Sequence, residues 1–186
     1  MGCPPKSAAK SAEKPSIIFA DQKPCKVNRL NSLEPPPAPP SRVVLDTNVV
    51  LDALLFRDAS CTQLNAQLDT ARLHWVASEA MRSELAHVLS RPEFNAWRTR
   101  EAAVWARWSE RCRRLEPGPL TGAALRLHCT DRDDQMFIDL AFSSGARWLL
   151  SRDRAVLKLA KRARPMGLSI MTPAAWAAQA GEPLHK

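Results

Sequence analysis

The run Arg42-Val43-Val44-Leu45-Asp46-Thr47-Asn48-Val49-Val50 decides how the rest of the chain is read. Val43-Val44-Leu45 is a short, β-branched apolar stretch, long enough for a buried strand. It stops at Asp46-Thr47-Asn48, three residues that favour turns and helix caps, and Val50, Leu51, Leu54 and Leu55 follow at helical spacing. Further along, residues 62–71 are polar and helix-compatible, and Leu73-His74-Trp75-Val76 reads as a second strand. Ser78 can cap a helix running to about Ser90, stopped by Pro92. A third helix is predicted from Glu93 to Arg114, while Leu120–Thr130 is ambiguous. A helix from about Asp134 to Ser144 ends at Gly145, a C-terminal cap residue. Trp148-Leu149-Leu150 is the next strand, residues 154–163 another helix, and Leu168–Met171 the last strand, before Thr172-Pro173 opens a final helix. No internal repeat is visible. Strands alternating with helices predict an α/β fold, its mostly parallel central sheet flanked by helices on both faces.

Residues 1–41 have a different texture. They carry nine of the fifteen prolines, with six lysines and arginines against three acids. Proline fixes φ and removes a backbone donor, so no long helix or sheet is expected there. We read 1–41 as a disordered, Pro-rich basic leader and 42–180 as the folded domain. A chain of 186 residues suits one core. No apolar run approaches the roughly 20 residues of a membrane span. Five scattered cysteines without a C-x-x-C pair argue against a disulfide framework and for a reducing, cytoplasmic setting. The net charge of +8 suits a polyanionic partner without specifying an activity.

Four acids stand in places that need explaining. Asp46 and Asp153 each follow a predicted strand, where open α/β sheets bind ligands, although either could simply cap the next helix. Glu84 falls on the helical face of Ala77, Ala80, Met81 and Val88; a carboxylate on a buried stripe needs a metal or a counter-charge such as Arg91. Asp134 opens a helix with Phe137, Ile138 and Ala141 on its own face, where capping again competes. Asp131 and Asp133 just before it read as solvated or capping. Several carboxylates at one sheet edge repel and raise one another's pKa unless hard cations such as Mg²⁺ or Mn²⁺ join them. Such an ion can activate water for attack on a phosphodiester. His74, His87, His128 and His185 lack ligand spacing, and with six glycines there is no phosphate-binding loop and no nucleophile elbow.

These residues also carry a resemblance. Val43 to Val50 resembles the opening motif of PIN-domain nucleases. Met81-Arg82-Ser83-Glu84-Leu85 with Leu89 to Phe94 resembles their second motif, Asp131 to Ala141 the third, and Leu149-Leu150-Ser151-Arg152-Asp153 the fourth. The match extends over roughly residues 42–175 and is most similar to bacterial PIN-family toxin components of VapC-like toxin–antitoxin systems. The resemblance implies a PIN-like three-layer fold and a Mg²⁺- or Mn²⁺-dependent endoribonuclease. It implies that Asp46, Glu84, Asp134 and Asp153 are the catalytic, metal-binding acids and that Asn48 and Ser151 are supporting polar residues. It also implies homodimerisation and an antitoxin partner. The leader at 1–41 and Arg152 inside the fourth motif depart from the usual pattern; Arg152 is expected near phosphate.

The charge pattern adds weaker expectations. Between Arg91 and Arg114 seven arginines face three glutamates, interleaved with Trp97, Trp105 and Trp108, of which Trp105 or Trp108 belongs in the core. Arg152, Arg154, Lys158, Lys161, Arg162 and Arg164 form a second basic stretch: either RNA contacts, with Arg152, Arg154 and Lys158 foremost, or a solvated face. Single-stranded RNA or loop regions suit aromatics on which exposed bases can stack. Two other readings use the same residues, a non-catalytic RNA- or protein-binding module and a DNA-directed nuclease.

Overall fold

The computed structural model describes residues 1–2 and 40–180. The leader expected over 1–41 therefore falls almost wholly outside the described residues, although Ser41 already belongs to the first strand. Five strands are present among them: β1 (Ser41–Leu45), β2 (Leu73–Ala77), β3 (Cys112–Arg114), β4 (Trp148–Leu150) and β5 (Ser169–Met171). They form one sheet in the order β3-β2-β1-β4-β5, and every pairing is parallel. Val43 pairs with Trp75 on one side and Trp148 on the other, so the strand read first in the sequence is the centre of the sheet. Val43, Val44, Leu45, Trp75, Val76, Ala77, Leu149 and Leu150 are all buried, regardless of which way their side chains alternate. That pattern requires cover on both faces of the sheet.

The helices supply the cover. They are α1 (Thr47–Val50), α2 (Thr62–Asp69), α3 (Glu79–Ser90), α4 (Glu101–Arg111), α5 (Gln135–Ser143), α6 (Arg154–Leu157), α7 (Ala160–Ala163) and α8 (Pro173–Ala180). In this strand order, the right-handed crossover that parallel strands follow as a rule places the connections from β1 to β3 on one face and those from β3 to β5 on the other. Ser78 caps α3, its hydroxyl accepting from the Met81 N–H at 3.4 Å. Gly145, at φ 64°, takes the left-handed turn that ends α5.

Three expectations need correction. The helix predicted over Glu93–Arg114 is a 3₁₀ stretch (Pro92–Arg100), then α4, then strand β3. Only Val104 and Trp108, one turn apart, are buried on α4, and beyond them backbone pairing with β2 captures Cys112 to Arg114. The helix expected over 154–163 is divided into α6 and α7. The helix after Asp46 widens into a π-helical turn, Leu51–Phe56, which lets Leu51, Ala53, Leu54 and Leu55 all be buried. The ambiguous stretch Leu120–Thr130 contains a 3₁₀ turn over Gly122–Arg126. Among the described residues no helix is long and apolar enough to cross a membrane, and Cys61, Cys112 and Cys129 are free thiols.

Candidate active site

The sheet order reverses direction at β1. From there the chain runs outward to β2 and β3, then returns to the other side of β1 with β4 and β5. In open α/β sheets the crevice at the carboxyl ends of strands on either side of such a reversal is where ligands bind. Asp46 leaves β1 and Ser151 leaves β4 at this point, and the ladder runs one step past both strands: the Asp46 N–H donates to Leu150 O at 3.0 Å, and the Ser151 N–H to Met171 O at 3.0 Å.

Asp46 is 2 % exposed. Ser151 Oγ donates to its Oδ2 at 2.6 Å, and the Asn48 N–H donates to its Oδ1 at 3.3 Å. Asp46 therefore does cap α1, as its residue type suggested, while its second oxygen is held from β4. Burial pushes its carboxyl pKa up, against the pull of these donors, and Asp153 adds a like charge that raises it further. Ser151 is fully buried and does two jobs, since its Oγ also accepts from the Asp153 N–H at 2.9 Å. Asp153 caps α6, accepting from the Ala155 N–H.

Glu84 approaches from α3. The buried stripe of that helix is Met81, Leu85 and Leu89, not the face through Ala80, which is exposed; Glu84 sits half-buried at the margin of the stripe. Its Oε2 accepts from Thr47 Oγ1 at 2.9 Å. Among the described residues it forms no ion pair, and Arg91 acts on it only as the weakest of several influences. Burial is the main cause of its raised pKa, with Asp46 and Asp133 adding repulsion. Asp134 sits at the N-terminus of α5 but its side chain caps nothing. Its pKa is pushed up to about 7 by burial and then by Asp46, Asp153, Asp131 and Glu84, every influence in the same direction.

The four predicted acids thus come from four separate places in the chain to one electrostatically coupled region. Asn48 contributes its backbone N–H, while the residue itself is exposed. Thr47, 5 % exposed, is a site residue that reading the sequence missed, although it stands between two that were singled out. Gln135 was also missed. Its amide accepts from the Cys129 N–H at 2.7 Å and donates to Leu127 O and Asp139 Oδ1, pinning the loop that delivers Asp134. Arg154 and Lys158 are exposed, as a contact surface would require. Arg152, expected near phosphate, is exposed and paired with Asp52 and Asp58.

An all-oxygen donor set of mutually repelling carboxylates has the chemistry of a hard divalent-cation site. As the side chains stand, however, no three His, Cys, Asp or Glu groups among the described residues are close enough together to grip one ion.

A family model described as PIN domain matches residues 42–155. The chain belongs to the PIN-domain family. The match takes in Asp46, Glu84, Asp134 and Asp153 together and ends just past the cap of α6. No curated protein matches the chain. PIN domains are in general metal-dependent nucleases, and this PIN domain has the family's all-parallel sheet flanked by helices.

Proposed function

We propose that this PIN domain is a Mg²⁺- or Mn²⁺-dependent endoribonuclease and the toxin component of a VapC-like toxin–antitoxin system. One observation carries the catalytic part. Asp134 lies within electrostatic reach of Asp46, Asp153, Asp131 and Glu84, and burial and these like charges all disfavour its ionised form, a cost that a bound cation would reverse. Asp46, Glu84, Asp134 and Asp153 would hold the ion, which, when bound, supplies a water of lowered pKa and charge stabilisation at the phosphate. Ser151 orients Asp46 and Thr47 orients Glu84, each from a fixed backbone position. With the Asp134 carboxyl pKa pushed up to about 7, binding an ion near neutral pH would release a proton. The net charge of +8 and the exposed Arg154 and Lys158 favour a polyanionic substrate, which we read as RNA with unpaired stretches. The cognate antitoxin, a homodimer and a cytoplasmic setting follow from the toxin reading alone.

The test is cleavage of end-labelled single-stranded RNA with Mn²⁺, with Mg²⁺ and with EDTA, beside Asp46→Asn and Asp134→Ala. Metal-dependent cleavage lost in both variants is the expected result. Equal or better cleavage of a matched DNA strand would redirect the assignment to a DNA-directed nuclease. A second reading, a non-catalytic RNA- or protein-binding module, draws on the absence of an ion-gripping cluster among the described residues. It expects metal-independent RNA binding and no turnover on any substrate, tRNA included.

A further inference from the structure

Arg152 lies between Ser151, which donates to Asp46, and Asp153, yet its own side chain contacts a different set of residues, Asp52, Asp58 and Ser60. Its Nε stands 2.6 Å from Asp52 Oδ2, a charge contact without a well-aligned hydrogen bond, and its Nη2 stands 3.3 Å from Asp58 Oδ1. Nη2 also donates to Ser60 Oγ at 3.0 Å. The receptor for this guanidinium is built from unusual backbone. The chain leaves α1 in the π-helical turn, and Arg57 then adopts a left-handed φ of 57°, which non-glycine residues rarely take. That reversal lets the Asp58 N–H donate to Asp52 O at 2.8 Å, bringing the two acids to one cation. Ser60 locks the second acid, its N–H and Oγ donating to Asp58 Oδ1 at 2.8 and 2.6 Å.

Residues 151–153 have no helix or strand of their own. On the site side they are tethered by the Ser151 hydroxyl, which donates to Asp46 and accepts from the Asp153 N–H. The Arg152 side chain ties the same segment to Asp52, Asp58 and Ser60. We infer that Arg152 is a positioning residue: gripped by Asp52 and Asp58, it fixes the segment that presents Ser151 and Asp153 to the acid site, and it is not a contact for substrate phosphate. Its consequence for metal binding rests on the nuclease reading; the clamp itself does not.

The test compares Arg152→Gln, Arg152→Lys, Asp52→Asn and Asp58→Asn with the unaltered chain. The readouts are amide hydrogen exchange in metal-free protein, Mn²⁺ affinity by calorimetric titration, and binding of an RNA oligonucleotide in EDTA. A clamp predicts that Arg152→Gln and Asp52→Asn change the same things in the same direction. Exchange at the Asp153 and Ala155 amides accelerates while β1 and β2 stay protected. Mn²⁺ affinity falls by about tenfold, the usual loss when a group orienting a metal ligand is removed. RNA binding in EDTA is unchanged. Asp58→Asn gives a smaller effect of the same sign, because its amide oxygen still accepts from Ser60. Arg152→Lys recovers only part of the effect, since a point charge cannot bridge two carboxylates as a planar fork does. Opposite signs, with Arg152→Gln weakening RNA binding and Asp52→Asn tightening it, would overturn the inference and make Arg152 a phosphate contact held in reserve. Unchanged exchange in every variant, or acceleration across the whole sheet, would also overturn it. If the unaltered protein binds no Mn²⁺, the nuclease reading falls, and the exchange data still decide the clamp.

Discussion

Asp134 and Ser151 show how one side chain's surroundings govern its chemistry. Asp134 has a carboxyl pKa of about 7 against an ordinary 3.8. Between those values the folded protein keeps a proton that the unfolded chain has released. Its contribution is therefore fully favourable below about pH 4 and is lost as pH rises to about 7. Asp46 and Glu84 are shifted in the same direction and act with the same sign. Metal-free protein is thus expected to be less stable at pH 8 than at pH 5 on account of these acids. Asp134→Asn should weaken that dependence and raise stability at pH 8 by on the order of 1–2 kcal/mol, once solvent screening of a half-buried group is allowed for. Denaturant unfolding at the two pH values checks this, and a variant no more stable than the parent at pH 8 would refute it. Ser151 poses the opposite case, a buried hydroxyl that both donates and accepts. Ser151→Ala leaves Asp46 Oδ2 without its donor and should cost about 1–3 kcal/mol, read as a shift of the urea midpoint at constant slope. Asp46, Ser151 and Asp153 were legible because each follows a short apolar run. Thr47 was not, because its partner Glu84 belongs to another helix.

At the scale of elements, α4 shows where periodicity runs out. Trp105 and Trp108 share a helical face, and the core takes only one of them fully. Trp108 is 8 % exposed and packs edge-on against Trp75, ring centroids 4.6 Å apart. Trp105 stays half-buried, with the Arg82 guanidinium over its ring and its Nε1 donating to Glu101. Trp108→Ala should therefore cost about 3–5 kcal/mol, the usual range for emptying a buried aromatic site. Trp105→Ala should cost clearly less, and equal losses in paired unfolding curves would contradict this assignment. The three residues after α4 carry no strand signal: Cys112-Arg113-Arg114 is half-buried to exposed and becomes β3 only through pairing with β2. A similar limit applies to α3. Helical spacing put Glu84 on a buried face with Ala80, whereas the stripe that packs into the core runs through Met81, Leu85 and Leu89. A shift of a fraction of a turn leaves the periodicity intact and changes which residues are covered.

For the whole molecule, the deciding feature is a parallel sheet whose order reverses at its central strand, bringing residues from both ends of the domain to one crevice. A cation bound there links the acids of four elements. Mn²⁺ at about 100 times its dissociation constant should add about 2.7 kcal/mol of stability. The gain should be larger at pH 8 than at pH 5.5, because the acids must be ionised to bind. A melting temperature indifferent to Mn²⁺ at both pH values would count against a metal site. Much of this architecture was determined by the sequence alone: the alternation of strands and helices, the caps at Ser78 and Gly145, and three site residues standing at strand ends. These are short-range matters, set by backbone preferences and by apolar spacing within one or two turns. Strand order, the capture of β3, the Thr47–Glu84 and Ser151–Asp46 bonds, and the seating of Arg152 between Asp52 and Asp58 were decided only by the tertiary structure. Each joins groups far apart in the chain, and their meeting depends on how whole elements pack, which no local pattern of residues encodes.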